Sequence, residues 1–240
     1  MLDVRDVTAP APLRLFEPDL QAAGCTAAES TLEALVRGLP LQRRRLRPKQ
    51  YVFRAGQPRH ALHLIHAGIF KTSVISADGR EKITGFRLRG ELLGLDALDM
   101  STYACDAVAL DVGEVWELPC AHLRETLPQF QELLTGALAS EIRRDWGWML
   151  ALGTLTAEQR VTTFLLDLTS RLGLLGFSPR CMTLRMTRSD VGNFLSLQLE
   201  TVVRALSHLQ AMGLIRIERR EIHIEDLPGL RATLSTTRCN

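Results

Sequence analysis

The residues Thr187–Ile215, TRSDVGNFLSLQLETVVRALSHLQAMGLI, contain a set of side chains suited to reading hydrogen-bond patterns. From Gln198 onward, Glu200, Thr201, Val203 and Arg204 share one side of an expected helix. Leu199, Val202, Leu206 and Leu209 are expected to hold its other side. The planar fork of Arg204 matches the O6 and N7 acceptors of guanine. Glu200 can accept from the N4 amine of cytosine, and the methyls of Val203 can meet that of thymine. Thr201 and Arg188 suit phosphate oxygens, which fix register rather than sequence. A plainer reading competes. Glu200 and Arg204 stand four apart with the acid first, the spacing of an ordinary surface ion pair contributing about 0.3–0.5 kcal/mol.

Positioning decides between the two. Arg188 to Leu195 reads as a short helix with Val191, Phe194 and Leu195 apolar, and Gly192 stands where two helices must approach closely. Ser196 makes the turn. The second helix runs from Gln198 to about Met212, and Gly213 ends it. LIRIERREIHIEDL then reads as a two-strand hairpin turning at Arg219 and Arg220, placed to touch a nucleic-acid backbone. This is helix-turn-helix spacing with a wing, in which the second helix enters the major groove of double-stranded DNA.

Upstream, the texture divides the chain into an arm at 1–25, a β-roll at 26–126, a long helix at 127–155, the winged helix-turn-helix at 156–232 and a tail at 233–240. The class is α+β. A short helix from Thr26 to Gly38 precedes QYVF, ALHLIHAG, FKTSVIS, EKITGF and EVWEL. These short strands are broken by turn residues, which fits an antiparallel roll. In the long helix, Leu134, Leu138, Ile142, Asp145, Met149 and Leu152 repeat at steps of three and four. That approximates a heptad seam and predicts a homodimer, the alternative being a helix packed on its own roll. Asp145 would face its twin, so like charge would make association conditional. Thr156 to Arg171 reads as a further helix, followed by the loop GLLGFSPR and the strand MTLRM.

The 240 residues carry a net charge of only +2, so affinity for nucleic acid must come from clusters such as Arg43–Arg45, Arg143–Arg144 and Arg216, Arg219 and Arg220. No signal-like leader and no membrane-length apolar run is visible, which predicts a cytoplasmic protein with no membrane partner. Five cysteines stand apart (Cys25, Cys105, Cys120, Cys181, Cys239) without a C-x-x-C pair, so free thiols are expected. An enzyme built on the roll is the reading from another class. No phosphate loop, nucleophile motif or metal-spaced histidine–carboxylate set is present, and no metal site is predicted. His60, His63 and His66 are spaced by three, which on a strand sends them to alternate faces. A ligand-binding module whose helix-turn-helix only packs against a partner is the third reading.

FRAGQ, KITGF, GFSPR and MTRSDVGNFL followed by ETVVR, in this order of modules, resemble the CRP/FNR family of bacterial transcription regulators, nearer its FNR branch. The resemblance implies a homodimeric activator that works with RNA polymerase, responds to oxygen limitation or redox state and reads a TTGAT-like palindrome. Leu199 is apolar as in FNR proteins, whereas Val203 replaces their serine, which leaves the outer half-site open. Ile142 and Asp145 match the family's dimer-helix residues. Gly90-Glu91-Leu92 matches the cyclic-nucleotide branch, but MSTYACDAV lacks its arginine, so the resemblance does not carry cAMP binding with it. A four-iron cluster wants four thiolates, and only Cys25 stands at a matching place, with Trp116 where the fourth cysteine would fall. The cofactor is left unassigned. A haem or nitric-oxide trigger, a thiol trigger at Cys25, Cys105 or Cys120, and constitutive activity all stay open.

Overall fold

The computed structural model describes residues 31–119 and 128–235. The expected arm, the start of the expected helix at Thr26, and Cys25, Cys120 and Cys239 lie outside them. A short helix, α1 (Thr31–Val36), leads into eight strands: β1 (Arg43–Leu46), β2 (Tyr51–Phe53), β3 (Leu62–Ala67), β4 (Phe70–Ile75), β5 (Glu81–Arg87), β6 (Leu92–Leu93), β7 (Asp106–Ala109) and β8 (Gly113–Leu118). They form two antiparallel sheets in the orders β1-β8-β3-β6 and β2-β7-β4-β5.

Alternation along β3 explains how the layers close. Ile65 points between the sheets with Val52, Phe53, Phe70, Tyr103 and Val115. Leu62 and Leu64 point the other way, onto Leu32 and Val36 of α1 and onto Phe130 and Leu134. The last two belong to α2 (Pro128–Thr154), the long helix that leaves the roll. Leu134 is therefore only 2% exposed within its own chain. Its expected place in a seam with a second copy is corrected: the roll takes this turn of the helix, and the apolar face becomes free only further along.

Beyond α2 come α3 (Ala157–Leu174), β9 (Cys181–Thr183), α4 (Arg188–Leu195), α5 (Leu199–Ala211), β10 (Ile215–Glu218), β11 (Glu221–Ile224) and α6 (Leu227–Ser235). Thr156 and Thr187 each form a reciprocal capping box, with Gln159 and Asp190, which fixes the starts of α3 and α4. The helix α6 crosses the expected boundary at 232 because Leu230 is fully buried in the core that the C-terminal helices share, so this segment completes the domain. Strands β10 and β11 pair antiparallel about Arg219-Arg220, and β9 adds a third strand.

The second core runs through both halves of the chain. Ile83, Phe86 and Leu88 of the roll join Trp148 and Ala151 of α2 and the apolar residues of α3 to α6 in one cluster. Phe194 meets Phe86, Trp148 and Phe164 edge-on, with ring centroids 5.4, 4.7 and 6.2 Å apart. Such pairs contribute beyond their buried area.

The turn between α4 and α5 depends on Gly192. A methyl there would lie 2.7 Å from the Leu197 carbonyl oxygen, and the Leu197 amide already donates to the Gly192 carbonyl. Ser196 takes the left-handed conformation at φ 55°. Gly192→Ala should therefore force α4 and α5 apart and cost about 1–3 kcal/mol, measured as a lower urea midpoint.

Candidate nucleic-acid interface

The surface of α5 is divided cleanly. Val202, Ala205, Leu206 and Leu209 are buried against the domain core. Gln198, Leu199, Glu200, Val203 and Arg204 are exposed, and Thr201 is half-buried. Leu199 was expected on the packed side. Instead it is 44% exposed and stands one turn before Val203, which is 45% exposed. At the first turn of the helix the core lies behind Val202, so Leu199 contributes an apolar contact to the outer face.

The charged pair on that face does not close on itself. No ion pair joins Glu200 to Arg204 among the described residues. Arg204 Nη2 reaches only Thr201 Oγ1, at 3.5 Å. Gln198 occupies the cap position without a side-chain cap hydrogen bond, unlike Thr156 and Thr187. Three polar heads at the start of α5 are thus free of strong partners among the described residues. Arg188, in the first turn of α4, is half-buried and has no ion-pair partner among the described residues; burial lowers its pKa.

The wing presents Arg219 and Arg220 at its tip, both exposed, with Arg219 at φ 58°. Arg216 behind them is tied to Glu218 and to Glu225, the latter at 2.8 Å. Outward cationic reach therefore rests on the two tip residues.

Several residues that hold this surface gave no signal in the sequence. Lys82 of β5 donates to the Asn193 and Phe194 carbonyls at 2.6 and 3.0 Å and to Ser196 Oγ at 2.8 Å. A cation thus caps the C-terminal end of α4, where the helix dipole favours it. The Asn193 amide accepts from the Ile83 amide at 2.7 Å and donates to the Glu81 carbonyl at 2.8 Å, as a strand partner would. Lys71 pairs with Asp190 at 3.0 Å. Burial opposes the charge on Asp190, but hydrogen bonds from Thr187 and the Lys71 ammonium hold its carboxyl below the usual range.

Glu91 forms the other joint. Its carboxylate receives Arg171 Nη2 of α3 at 2.7 and 2.9 Å and Arg144 Nη1 of α2 at 3.3 Å. Both arginines also donate to the Phe86 carbonyl. Burial pushes the carboxyl up, yet Arg171, Arg144 and Arg87 outweigh it and hold the pKa at about 2.

Two family-model matches fall on these modules. The Crp-like helix-turn-helix domain matches residues 159–233, and the cyclic nucleotide-binding domain matches residues 43–130. The transcriptional activator protein Anr of Pseudomonas aeruginosa is 39% identical over 201 residues, spanning 82% of this chain and 80% of the relative. An anaerobic regulatory protein of Pasteurella multocida is 35% identical over 198 residues, spanning 81% and 72%. The solved structure of FixK2 from Bradyrhizobium japonicum superposes with a TM-score of 0.74 at 28% identity, covering 84% of this chain and all of that one. The chain belongs to the CRP/FNR family. It is a DNA-binding transcription regulator, and the enzyme reading falls away with that assignment.

The family's cofactors fit poorly. In this CRP/FNR regulator the Glu91 carboxylate is committed to Arg144 and Arg171. Tyr103 of the following segment is buried, with its hydroxyl donating to the Ala61 carbonyl. A cyclic nucleotide would find neither a free carboxylate nor a cation from MSTYACDAV. The described cysteines do not make a cluster site either. Cys105 is buried in the roll, where desolvation and Asp96 push its thiol far above the usual range. Cys181 lies in the wing sheet. At the fourth-cysteine position Trp116 is packed instead, stacked on His66 at 4.5 Å under the guanidinium of Arg43.

The histidines occupy separate surroundings. His63 is buried beside Phe53 and Tyr103, and burial with Arg44 lowers its pKa to about 3, so it is neutral at pH 7. His66 meets Glu33 at 2.9 Å on the other face of β3. Among the described residues no helix is long and apolar enough to cross a membrane.

The depressed pKa of Glu91 makes the joint pH-dependent with a definite sign. An unfolded glutamate titrates near about 4.3, so the stabilisation is complete above that pH and is lost as pH falls toward about 2. Glu91→Gln should destabilise the protein at pH 7 by about 1–3 kcal/mol. In thermal melts the gap from wild type should narrow steadily below about pH 4; a gap constant with pH would remove the ionic account.

Proposed function

We propose that the protein acts in the cytoplasm as a homodimeric activator that reads a TTGAT-like palindrome and recruits RNA polymerase in response to low oxygen or redox state. The observation that carries the reading is the outer face of α5. Arg204, Glu200 and Gln198 are free to donate to and accept from base edges, while Val203 and Leu199 offer methyl contacts. Thr201, Arg188, Arg219 and Arg220 surround them as phosphate contacts. The low-oxygen part rests on the names of the relatives, an anaerobic regulatory protein among them.

The dimer surface on α2 is centred differently from the expected seam. Ile142, Trp146 and Met149 are 48%, 54% and 68% exposed, and Leu150 lies beside them. They share a stripe with Gly153 at steps of four, three and four, the spacing that seats one helix against another. Leu138 and Leu152 are half-buried at its edges, and exposed Asp145 flanks it. A second copy of α2 would cover this face and bring two reading heads to a two-fold operator.

The trigger is something other than a four-thiolate cluster. Cys105 is also poorly suited to thiol sensing, since a desolvated, protonated thiol reacts slowly.

Gel-shift titrations on the palindrome and on a scrambled duplex, with protein handled in air and without oxygen, test the whole. Preference for the palindrome is expected, and equal binding to both duplexes would overturn the reading. Arg204→Ala should cost about 1–3 kcal/mol of operator affinity and relax preference at the guanine it reads. Asp145→Ala should tighten the dimer, seen as a shift toward the heavier species in sedimentation of a partly monomeric sample. Unchanged association there would remove like-charge repulsion from the account.

A further inference from the structure

We propose that the wing sheet carries a transition-metal site of the zinc class, formed by Cys181, His223 and Glu221. In the β9–β11 ladder Cys181 stands directly opposite His223, and Glu221 lies two residues before it. The period of two therefore puts the three side chains on one face. Their thiol, imidazole and carboxylate ligand atoms all lie within 4.8 Å of one another, the one such group of three among the described residues. Tetrahedral zinc, with bonds of about 2.0–2.3 Å, holds its ligands about 3.3–3.8 Å apart. Small side-chain rotations would close the set.

An independent observation points the same way. His223 Nε2 is shielded from solvent and has no hydrogen-bond partner among the described residues. Carboxylate oxygens of Glu221 and Glu218 face it at 3.7 and 4.0 Å, beyond hydrogen-bond reach. A buried ring nitrogen held off two carboxylates is satisfied by a cation between them. Thiolate, imidazole and carboxylate together select zinc over magnesium or calcium, which prefer oxygen alone. Glu218 or water supplies the fourth position.

The place of the site gives it a consequence. Glu218 and Glu221 bracket the wing tip, Arg219-Arg220. Ligation would tie the tip to β9 and cancel carboxylate charge beside the two arginines, so the metal strengthens the hold of the wing on phosphate. That consequence rests on the DNA reading above; the site itself rests on the sheet geometry.

The test uses the full-length reduced protein, stripped of metal by chelator and titrated with cobalt(II), then zinc(II). A thiolate-to-cobalt charge-transfer band with visible bands of tetrahedral cobalt is expected, displaced by stoichiometric zinc. Cys181→Ser should abolish the charge-transfer band, and His223→Gln should weaken cobalt binding by about tenfold or more. Replacing Cys25, Cys120 and Cys239 together by serine should leave the spectrum intact. No band in the wild type, or a band that survives Cys181→Ser, overturns the proposal, with circular dichroism confirming that each variant is folded. In gel shifts, zinc should raise operator affinity of wild type and not of Cys181→Ser. Failure to bind any duplex, with or without zinc, counts against the reading head alone, because the cobalt spectrum is read without DNA.

Discussion

The arrangement of the molecule depends on the junction where Phe194 enters the aromatic pocket of Phe86, Trp148 and Phe164. Those four rings come from four elements: α4, β5, α2 and α3. At this point the roll, the long helix and the helix-turn-helix meet. Beside the rings, Glu91 clamps Arg144 of α2 and Arg171 of α3, so apolar and ionic contacts lock the same three bodies. Double use of one junction makes the orientation of the reading helix a property of the roll as well as of its own domain.

The hairpin of β4 and β5 adds direction to that lock. Lys82 holds the last carbonyls of α4, Asn193 pairs with the β5 backbone, and Lys71 meets the capping aspartate at the start of α4. Both ends of the first helix are therefore gripped by the roll. The second helix keeps its outer face exposed. A change in the roll would reach α5 by moving α4, the helix that Gly192 lets it touch closely. Glu91 is the cost side of the design: its carboxylate serves the junction and is no longer available to a small ligand.

Much of this was legible in the chain. Gly192, Ser196 and Gly213 mark backbone positions that only particular residues fill, and the capping pairs Thr187–Asp190 and Thr156–Gln159 are local by nature. Strands with clear alternation, such as β3 and β4, were recognisable for the same reason. Strand β1 was not, because RRRL is an edge strand whose arginines serve contacts from elsewhere: Arg44 to the Val52 carbonyl, Arg45 to Glu114 and Arg43 over Trp116. Strands β6 and β7 are too short to show a period.

The long helix shows where periodicity stops informing. Leu134 and Ile142 repeat alike, yet one is buried by the roll and the other is exposed, since further along α2 the roll packs on the side that carries Arg144 and Trp148. Leu199 likewise has the chemistry of a core residue and the position of a surface one. The sequence by itself determined the module order and the helix-turn-helix spacing, and with them most of the outward set of the second helix, because each follows from neighbours within a few positions. Only the tertiary structure decided which apolar residues face another body, what occupies Glu91, and that Cys181 meets His223 and Glu221. Those facts depend on strands and helices distant in the chain, and no local pattern encodes which partner a side chain will find.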